Sequence, residues 1–232
     1  MKRSQINDAI ERAIQFCRNQ RFHLPPWAYW DYGAWEEVGA EAAEIARCGL
    51  GWDVTDFGSG DFQRVGLTAF TIRNGGPSTD TGPTAKTYCE KLLISAENQE
   101  TPTHFHWSKM EDIINRGGGV LTLQLWNGAP GSEAIDRSSP VSVSVDGVVR
   151  VVEAGGFVRL SPGESITLPP FLYHRFYGAP GHGPVLGGEV SRVNDDENDN
   201  RFNPPLPRFS PVDEDEPPKY RLCNEYPENL RA

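Results

Sequence analysis

Apolar positions recur at two different spacings along the chain. Near the N-terminus they lie three or four residues apart, a pattern that places one set of side chains on a single side of a helix: Ile6, Ile10, Ala13, Ile14 and Cys17. Residues 4–19 are therefore predicted to form a helix that packs over a sheet, with Ser4 as its N-cap. Residues 36–47 are predicted to form a second, shorter helix or a turn.

From residue 51 onward, apolar and polar side chains alternate in short stretches that end at turn-forming residues. The Asp146–Gly147 pair between two such stretches is a strong signal for a hairpin turn. Many short strands at this spacing predict a mainly β sandwich or barrel. The predicted strands are residues 51–57, 67–73, 88–96, 120–126, 141–145, 148–152, 155–160, 165–168, 173–177 and 185–188.

The pattern predicts a single domain over all 232 residues. We expect residues 1–50 to form a helical and aromatic cover, residues 51–193 to form the β-barrel, and residues 194–232 to form a C-terminal arm. The arm is polar, acidic and rich in proline. Its Leu, Phe and Tyr side chains nevertheless favour an arm that wraps the barrel over a disordered tail.

Composition and charge narrow the classes of partner. The formal net charge of −10 argues against nucleic acid and against an anionic membrane surface. No apolar stretch approaches the roughly 20 residues of a membrane span, and the N-terminus lacks the apolar centre of a secretion signal. The cysteines are scattered without the spacing of a zinc site, so we expect reduced thiols in a cytoplasmic protein.

Two histidines and a glutamate are spaced as metal ligands are. His104 and His106 lie two residues apart on a predicted strand that runs into a turn, so their side chains project from the same face. Glu111 follows the turn and can direct its carboxylate to the same point. Two neutral nitrogens and one anionic oxygen suit a borderline divalent metal ion and leave coordination positions open.

A fourth ligand is expected from a second segment. His174 enters a predicted strand shortly after the Pro169–Pro170 pair. In a β-barrel this strand can lie opposite the one that carries His104 and His106. A single histidine of this kind is more often a packed core residue, but together with the first segment it predicts a four-ligand site.

The two segments resemble the two motifs of the cupin superfamily. The first reads H-x-H-x4-E-x6-G over residues 104–118, and the second reads G-x5-P-x-F-x2-H over residues 163–174. The chain departs from the motifs at Asn98 and Phe171, where glycine is usual, and these changes affect turns and not ligands. The resemblance implies a mainly β cupin fold, a double-stranded β-helix of jelly-roll type, with the N-terminal helices packed outside.

Longer stretches are similar to the D-lyxose ketol-isomerase family. They are residues 103–119, residues 169–174 and residues 188–202, and the similarity spans most of the chain. The resemblance implies a cytoplasmic homodimer that binds one divalent metal ion per chain, manganese(II). It also implies interconversion of free D-lyxose and D-xylulose through a cis-enediol, with D-mannose and D-fructose as a candidate second pair.

Five further residues are candidates for this chemistry. Glu189 follows an apolar strand and is the candidate general base that carries a proton between C1 and C2. Lys109 is a candidate for stabilising the developing enediolate charge or for moving a proton. Lys91, inside an otherwise apolar strand, either extends to the barrel rim or holds a sugar hydroxyl. Asp196 and Arg201 are candidates for binding hydroxyls at the pocket mouth, although both also suit an ordinary polar loop.

Alternatives within the same fold stay open. A phosphosugar isomerase needs a compact Arg/Lys cluster for the phosphate, and none is evident near the motifs. An iron-dependent dioxygenase would consume oxygen. A non-catalytic sugar-binding or storage cupin is usually duplicated and often lacks the ligands, whereas this chain has one copy and all four. A metal-mediated hydride shift typically uses two metals held by several carboxylates, so a single ligand set favours the enediol route.

Overall fold

The computed structural model describes residues 1–76, 82, 85–196 and 198–231. The helices are α1 (Arg3–Asn19), α2 (Tyr32–Val38), α3 (Ala43–Arg47) and α4 (Glu228–Arg231), with 3-10 turns at Pro26–Tyr29 and Gly39–Ala42. The strands are β1 (Gly51–Thr55), β2 (Leu67–Arg73), β3 (Tyr88–Ser95), β4 (Glu100–His106), β5 (Glu111–Gly118), β6 (Leu121–Gly128), β7 (Ile135–Asp136), β8 (Val141–Val145), β9 (Val148–Val152), β10 (Phe157–Leu160), β11 (Ser165–Leu168), β12 (Leu172–Gly178), β13 (Val185–Arg192) and β14 (Asn200–Phe202).

The strands form two antiparallel sheets that face each other across one core. The larger sheet has the order β1-β2-β3-β13-β5-β11-β8-β9, and the smaller has the order β10-β6-β12-β4-β14, with β7 paired to β6. Successive strands cross between the sheets, as β4 and β5 do, which closes them into a jelly roll. The prediction of a mainly β fold of cupin type, with N-terminal helices outside, is confirmed.

Alternation along each strand decides which side chains enter the space between the sheets. In β2, Leu67 and Ala69 point into the main core, and Phe70 points to the opposite face. In β3, Leu93 points into the same core, and Leu92 points away from it. Because this period of two holds on both sheets, a polar residue that shares parity with the core positions is carried into the interior.

Helix α1 covers the outer face of the larger sheet. Its predicted apolar positions are all buried there, against a cluster that includes Trp52, Phe70, Leu92 and Leu186. The helix begins at Arg3, one residue before the predicted start, so Ser4 is not its N-cap. The Ser4 hydroxyl instead donates a hydrogen bond of 2.7 Å to Asp215 in the C-terminal segment.

The C-terminal segment is packed against both the barrel and the N-terminus. It supplies β14, which pairs with β4, and it buries Leu222 and Tyr226. The buried guanidinium of Arg3 contacts Glu214 and Glu225. The predicted arm therefore contributes a strand to the smaller sheet. The predicted boundaries between cover, barrel and arm, at residues 50 and 193, stay a prediction.

The sequence pattern does not predict β5, β7 or β14. In β5 the inward positions are Glu111, Ile113, Asn115 and Gly117, all buried, so polar and small residues hide the alternation that marks a strand. Over the described ranges, no helix is long and apolar enough to cross a membrane. The four cysteines form no disulfide.

Candidate active site

A cavity opens between the two sheets, and one of its walls is strongly polar. Its apolar wall comes from core residues such as Phe57, Leu93, Phe176 and Phe202. Its polar side chains come from β3, β4, β5, β13, the β4–β5 turn and the C-terminal segment; they are Lys91, Thr101, His104, His106, Lys109, Glu111, Glu189, Asp196, Asn200 and Arg208.

Strand pairing brings the three candidate histidines together. His104 on β4 is directly opposite His174 on β12, and His106 shares the inward face of β4. Their rings are 4.2 Å apart between His104 and His174, and 5.2 Å apart between His104 and His106, measured between centroids. One nitrogen of each of these three histidines lies within 4.8 Å of the other two, so the three could hold a metal ion.

Backbone carbonyls fix which nitrogen of two histidines faces the cavity. Nδ1 of His104 is 2.7 Å from the carbonyl oxygen of Pro102, and Nδ1 of His174 is 3.0 Å from that of Leu172. A carbonyl oxygen only accepts, so each Nδ1 carries a proton, and in the neutral ring each Nε2 presents its lone pair inward.

Glu111 lies against these inward nitrogens. Its Oε1 is 3.2 Å from Nε2 of His174, and its Oε2 is 3.4 Å from Nε2 of His106. The Nε2 of His174 is buried and has no hydrogen-bond partner among the described atoms. A lone pair that faces a buried carboxylate is unfavourable unless a cation lies between them. The donor set of three imidazoles and one carboxylate therefore fits a divalent metal ion.

The protonation states agree with metal ligation. Burial, reinforced by His174 and His106, lowers the pKa of His104 well below its ordinary value. Burial and the neighbouring Lys109 lower the pKa of His106. Burial acts to raise the pKa of Glu111, but Lys109 and His106 more than offset this, and the net pKa lies well below the ordinary value. Neutral imidazoles beside an ionised carboxylate are the forms that bind metal.

Lys109 links this set to a second carboxylate. Its Nζ is 2.8 Å from Oε2 of Glu111 and 2.8 Å from Oε1 of Glu189, and its side chain is only 3% exposed. Burial acts to lower the pKa of Lys109, but Glu111 and Glu189 raise it by more than burial lowers it, so the amine is an ammonium. Burial acts to raise the pKa of Glu189, while Lys109 and Lys91 bring it below its ordinary value. Glu189 is thus an ionised carboxylate, able to accept a proton.

A second charged group lies elsewhere on the cavity wall. The Lys91 Nζ is 3.6 Å from Oδ1 of Asp196, and the Arg208 Nε is 3.1 Å from the same oxygen. Arg208 also pairs with Asp53. Its remaining nitrogen, Nη1, is buried without a hydrogen-bond partner in the described part of the chain. Burial acts to raise the pKa of Asp196, but Arg208 and Lys91 hold it far below its ordinary value.

The structure brings together eight of the nine residues predicted from the sequence and leaves one apart. Arg201 lies on β14 between Asn200 and Phe202, which both line the cavity, and so it points to the opposite face. There it pairs with Glu133, and about two fifths of its side chain is exposed (42%). The predicted place of Arg201 at the pocket mouth does not fit this orientation.

Sequence reasoning missed Arg208 and Asn200 on the cavity wall, and also Asp53 and Asp199, which contact residues of that wall. Arg208 follows a proline-rich stretch in which no pattern distinguishes it, and Asp53 stands on a strand read only as alternating. Asn200 could have been found from the parity of β14, had that strand been predicted. Asp199, which contacts the β4–β5 turn, lies in the stretch 188–202 that carries the family resemblance, but no pattern there gives it a role.

Comparisons with known proteins find one family profile and several relatives that match nearly the whole chain. The profile of the D-lyxose isomerase family matches residues 1–226. A D-lyxose/D-mannose isomerase of Serratia proteamaculans is 48% identical over 227 residues, 97% of this chain and 98% of the relative. One from Escherichia coli O157:H7 is 49% identical over 227 residues, with the same two coverages. The solved L-ribose isomerase of Cellulomonas parahominis with L-ribose has a TM-score of 0.59 at 18% identity, and covers 91% of this chain and 98% of its own; this likeness concerns the fold alone.

Proposed function

Because this chain belongs to the D-lyxose isomerase family and is an aldose–ketose isomerase, we propose that it interconverts D-lyxose and D-xylulose with the help of a bound divalent metal ion. D-Mannose and D-fructose are the proposed second pair, in line with the names of the two relatives that are nearly half identical. The proposal extends to one manganese(II) ion per chain, a homodimer, and a cytoplasmic location.

The proposed metal ligands are His104, His106, Glu111 and His174. The support is the inward-facing Nε2 of His174, which is buried 3.2 Å from Oε1 of Glu111 and has no hydrogen-bond partner among the described atoms. A mixed nitrogen and oxygen set of this kind suits a divalent transition-metal ion, and the choice of manganese rests on the resemblance to the family. When bound, such an ion acts as a Lewis acid that polarises the carbonyl of the open-chain sugar.

Glu189 is the proposed base. Its ionised carboxylate removes the proton from C2 of the aldose, the electron pair moves to the carbonyl oxygen, and a cis-enediolate forms. Glu189, whose proton exchanges with solvent while the enediolate is bound, then protonates C1, and transfer of the hydroxyl proton from O2 to O1 gives the ketose. Hydrogen bonds from Lys109 and from the Ser191 hydroxyl, at 2.8 Å and 2.9 Å, hold Glu189 in place for both steps.

Lys109 has two roles in the proposal. Its ammonium keeps Glu111 and Glu189 a fixed distance apart, because it bonds to both at 2.8 Å. It is also a buried cation beside the place where negative charge develops on the sugar oxygens, and such a charge is most effective where water is excluded.

The remaining sugar hydroxyls are assigned to the second charged group. Lys91 and Asp196 are proposed substrate-binding residues, and Arg208 joins them because its buried Nη1 lacks a protein partner in the described residues. A free hydroxyl is both donor and acceptor, and can bond to the cation and the carboxylate at once. Arg201 is left out, since its side chain pairs with Glu133 on the other face.

One observation carries the proposal. Three buried imidazoles lie together, the carboxylate of Glu111 faces two of them, and a second carboxylate is joined to the first by one ammonium. The proposed metal ligands, base and charge stabiliser are therefore neighbours, as an enediol isomerase of a free sugar needs.

The deciding experiment starts from protein stripped of metal with a chelator. We expect no turnover until manganese is restored, and then ketose formation from D-lyxose ahead of other free aldoses in a panel. His174→Ala should lose metal binding and activity together. The matched control is His182→Ala, since His182 is exposed in a loop. Full activity of the His174 variant, or turnover without any metal, would contradict the assignment.

The route can be tested separately with solvent isotope. Proton transfer through Glu189 predicts that deuterium from D2O enters the product during turnover. Complete retention of substrate hydrogen at long times would point instead to a hydride shift and would remove Glu189 from the role of base.

A further inference from the structure

Asp199 joins the segment before β14 to the turn between β4 and β5. Its Oδ1 accepts hydrogen bonds from the backbone N–H and the hydroxyl of Ser108, at 2.8 Å and 2.7 Å. Its Oδ2 accepts from the backbone N–H of Lys109 at 3.1 Å. Its carbonyl oxygen accepts from the N–H of Trp107 at 3.2 Å. One residue therefore holds three successive residues of the turn.

That turn carries one important side chain of the site and joins the strands that carry two others. His106 is the last residue of β4, Glu111 is the first of β5, and Lys109 lies between them. A lysine side chain has four rotatable bonds, so its amine is placed accurately only if its backbone is fixed. The bonds from Asp199 supply that fixation at Ser108 and at Lys109 itself.

Asp199 also faces the outer nitrogen of a candidate metal ligand. Its Oδ2 is 3.8 Å from Nδ1 of His106, an ion-pair distance that is too long for a hydrogen bond. This Nδ1 is buried and has no hydrogen-bond partner among the described atoms. A nearby carboxylate favours the tautomer with the proton on Nδ1 and leaves Nε2 free to face Glu111.

We propose that Asp199 is a positioning residue for this enzyme: its carboxylate sets where the Lys109 amine lies between Glu111 and Glu189 and how His106 is oriented. The inference rests on the proposed function for its link to catalysis. Its link to the turn and to metal binding stands on the geometry alone.

The chemistry requires a carboxylate and not merely a side chain of that shape. A carboxylate offers acceptor oxygens on both sides, and here both sides meet donors: Ser108 on one and the Lys109 N–H on the other, with Nδ1 of His106 3.8 Å from the second oxygen. An amide keeps the shape but turns one oxygen into a donor. Asp199→Asn therefore places a donor against donors on one side while leaving the volume unchanged.

The test compares Asp199→Asn with Asp195→Asn in the full-length chain. Asp195 lies in the same segment, and its carboxylate accepts hydrogen bonds from the N–H and the amide of Asn198, so the control disturbs the segment itself. We expect Asp199→Asn to weaken manganese binding by about 10- to 100-fold, measured by titration calorimetry, and to lower kcat by a similar factor, with a smaller change in KM. Asp195→Asn should match the wild type in both.

Hydrogen exchange gives a readout that does not depend on turnover. The amides of Ser108 and Lys109 should exchange faster in Asp199→Asn, with and without manganese, and at the wild-type rate in Asp195→Asn. Equal behaviour of the two variants, or unchanged manganese affinity and kcat in Asp199→Asn, would overturn the proposal.

A second variant covers the case in which Asp199→Asn does not fold. Ser108→Ala removes one of the bonds to Oδ1 and keeps the carboxylate, so it should show the same changes in smaller measure. Wild-type turnover of free aldoses tests the proposed function by itself. If the wild type isomerises none of them, that function fails, while manganese affinity and amide exchange still decide whether Asp199 positions the turn.

Discussion

Replacing Lys109 with methionine should destabilise the metal-free protein and leave the metal-loaded protein less affected. Methionine keeps the length and the apolar stem of the side chain but removes the charge. In the wild type, the ammonium bonds to Glu111 and Glu189 at 2.8 Å each, and the three side chains are 3%, 2% and 6% exposed. Lys109→Met leaves two buried carboxylates without that counter-charge.

The size of the effect follows from the burial of the three groups. At 2.8 Å and an effective dielectric constant of about 20, each pair attracts by about 6 kcal/mol before the cost of removing the charges from water. That cost cancels much of the attraction, and removing one partner of a buried pair typically destabilises a protein by about 3–5 kcal/mol. For a chain of 232 residues this corresponds to a fall in Tm of roughly 10 °C.

The assay is thermal and urea unfolding of chelator-treated protein, repeated with saturating manganese. Bound metal compensates the charge of Glu111, so we expect the loss in stability to shrink by about half in the loaded protein. Adding Glu189→Gln to Lys109→Met should recover part of the loss, because it neutralises the other orphaned carboxylate. The matched control is Lys219→Met, since Lys219 forms a pair of 2.7 Å with Glu11 on the exposed surface and should not measurably change stability.

Two results would refute this reasoning. A metal-free Lys109→Met protein that unfolds within about 2 °C of the wild type would mean that the three charges do not form the network described. A double variant no more stable than the single one would mean that Glu189 is not a carboxylate that Lys109→Met leaves without its counter-charge.

Two other predictions concern the C-terminal segment. Arg208→Gln should raise KM for the sugar about tenfold, the size of one charge-assisted hydrogen bond, with a smaller effect on kcat, as steady-state kinetics would measure. The control is Arg175→Gln, which breaks a partly exposed pair with Glu100. Acid should loosen the contact of this segment with α1. The hydrogen bond from Arg3 lowers the pKa of Glu214 below 4.5, and hydrogen bonds from Ser4 lower the pKa of Asp215 below 3.8. The two carboxylates therefore contribute their full stabilisation of the contact above those values and lose it as pH falls through the folded pKa values. Proteolysis of this segment should accordingly rise below about pH 4 in the wild type, and should lose part of that dependence in Glu214→Gln.

The parts of the site that the sequence predicts are those set by local periodicity. His104 and His106 share a face because a strand has a period of two, and the Asp146–Gly147 pair does join Val145 to Val148 in a two-residue hairpin. The convergence of Glu111 and His174 depends on long-range pairing, and the motif spacing supplied that information where propensity could not.

The side-chain orientations that could not be predicted belong to strands, or strand ends, that the sequence pattern did not show. Arg201 and Asn200 are adjacent polar residues, and nothing in the sequence says which of them faces inward until β14 is paired with β4. The sequence predicts Glu189 as the base but not its place on the inward face of β13, because the strand continues to Arg192, beyond its predicted end. Arg208 enters the cavity from an irregular segment, where no periodicity exists to be read.

At the two positions where the chain departs from the cupin motifs, the backbone keeps the conformation for which glycine is usual. Asn98 and Phe171 stand where glycine is usual, and both have the left-handed backbone that glycine adopts without cost, with φ of +61° and +63°. Asparagine tolerates this conformation, whereas for phenylalanine it costs about 1–3 kcal/mol.

Local contacts explain how Phe171 can remain left-handed just before the strand that carries His174. Its N–H donates to the carbonyl of His106 at 2.9 Å, and its carbonyl accepts from the N–H of Gly128 at 3.1 Å. Its ring stacks on Phe105 with the centroids 5.6 Å apart. The bond to His106 joins β12 to β4 at the level of the proposed ligands, so the backbone conformation at residue 171 helps to set the distance between His106 and His174. A glycine in the motif would allow that conformation, whereas in this chain two backbone hydrogen bonds and the ring contact with Phe105 hold it.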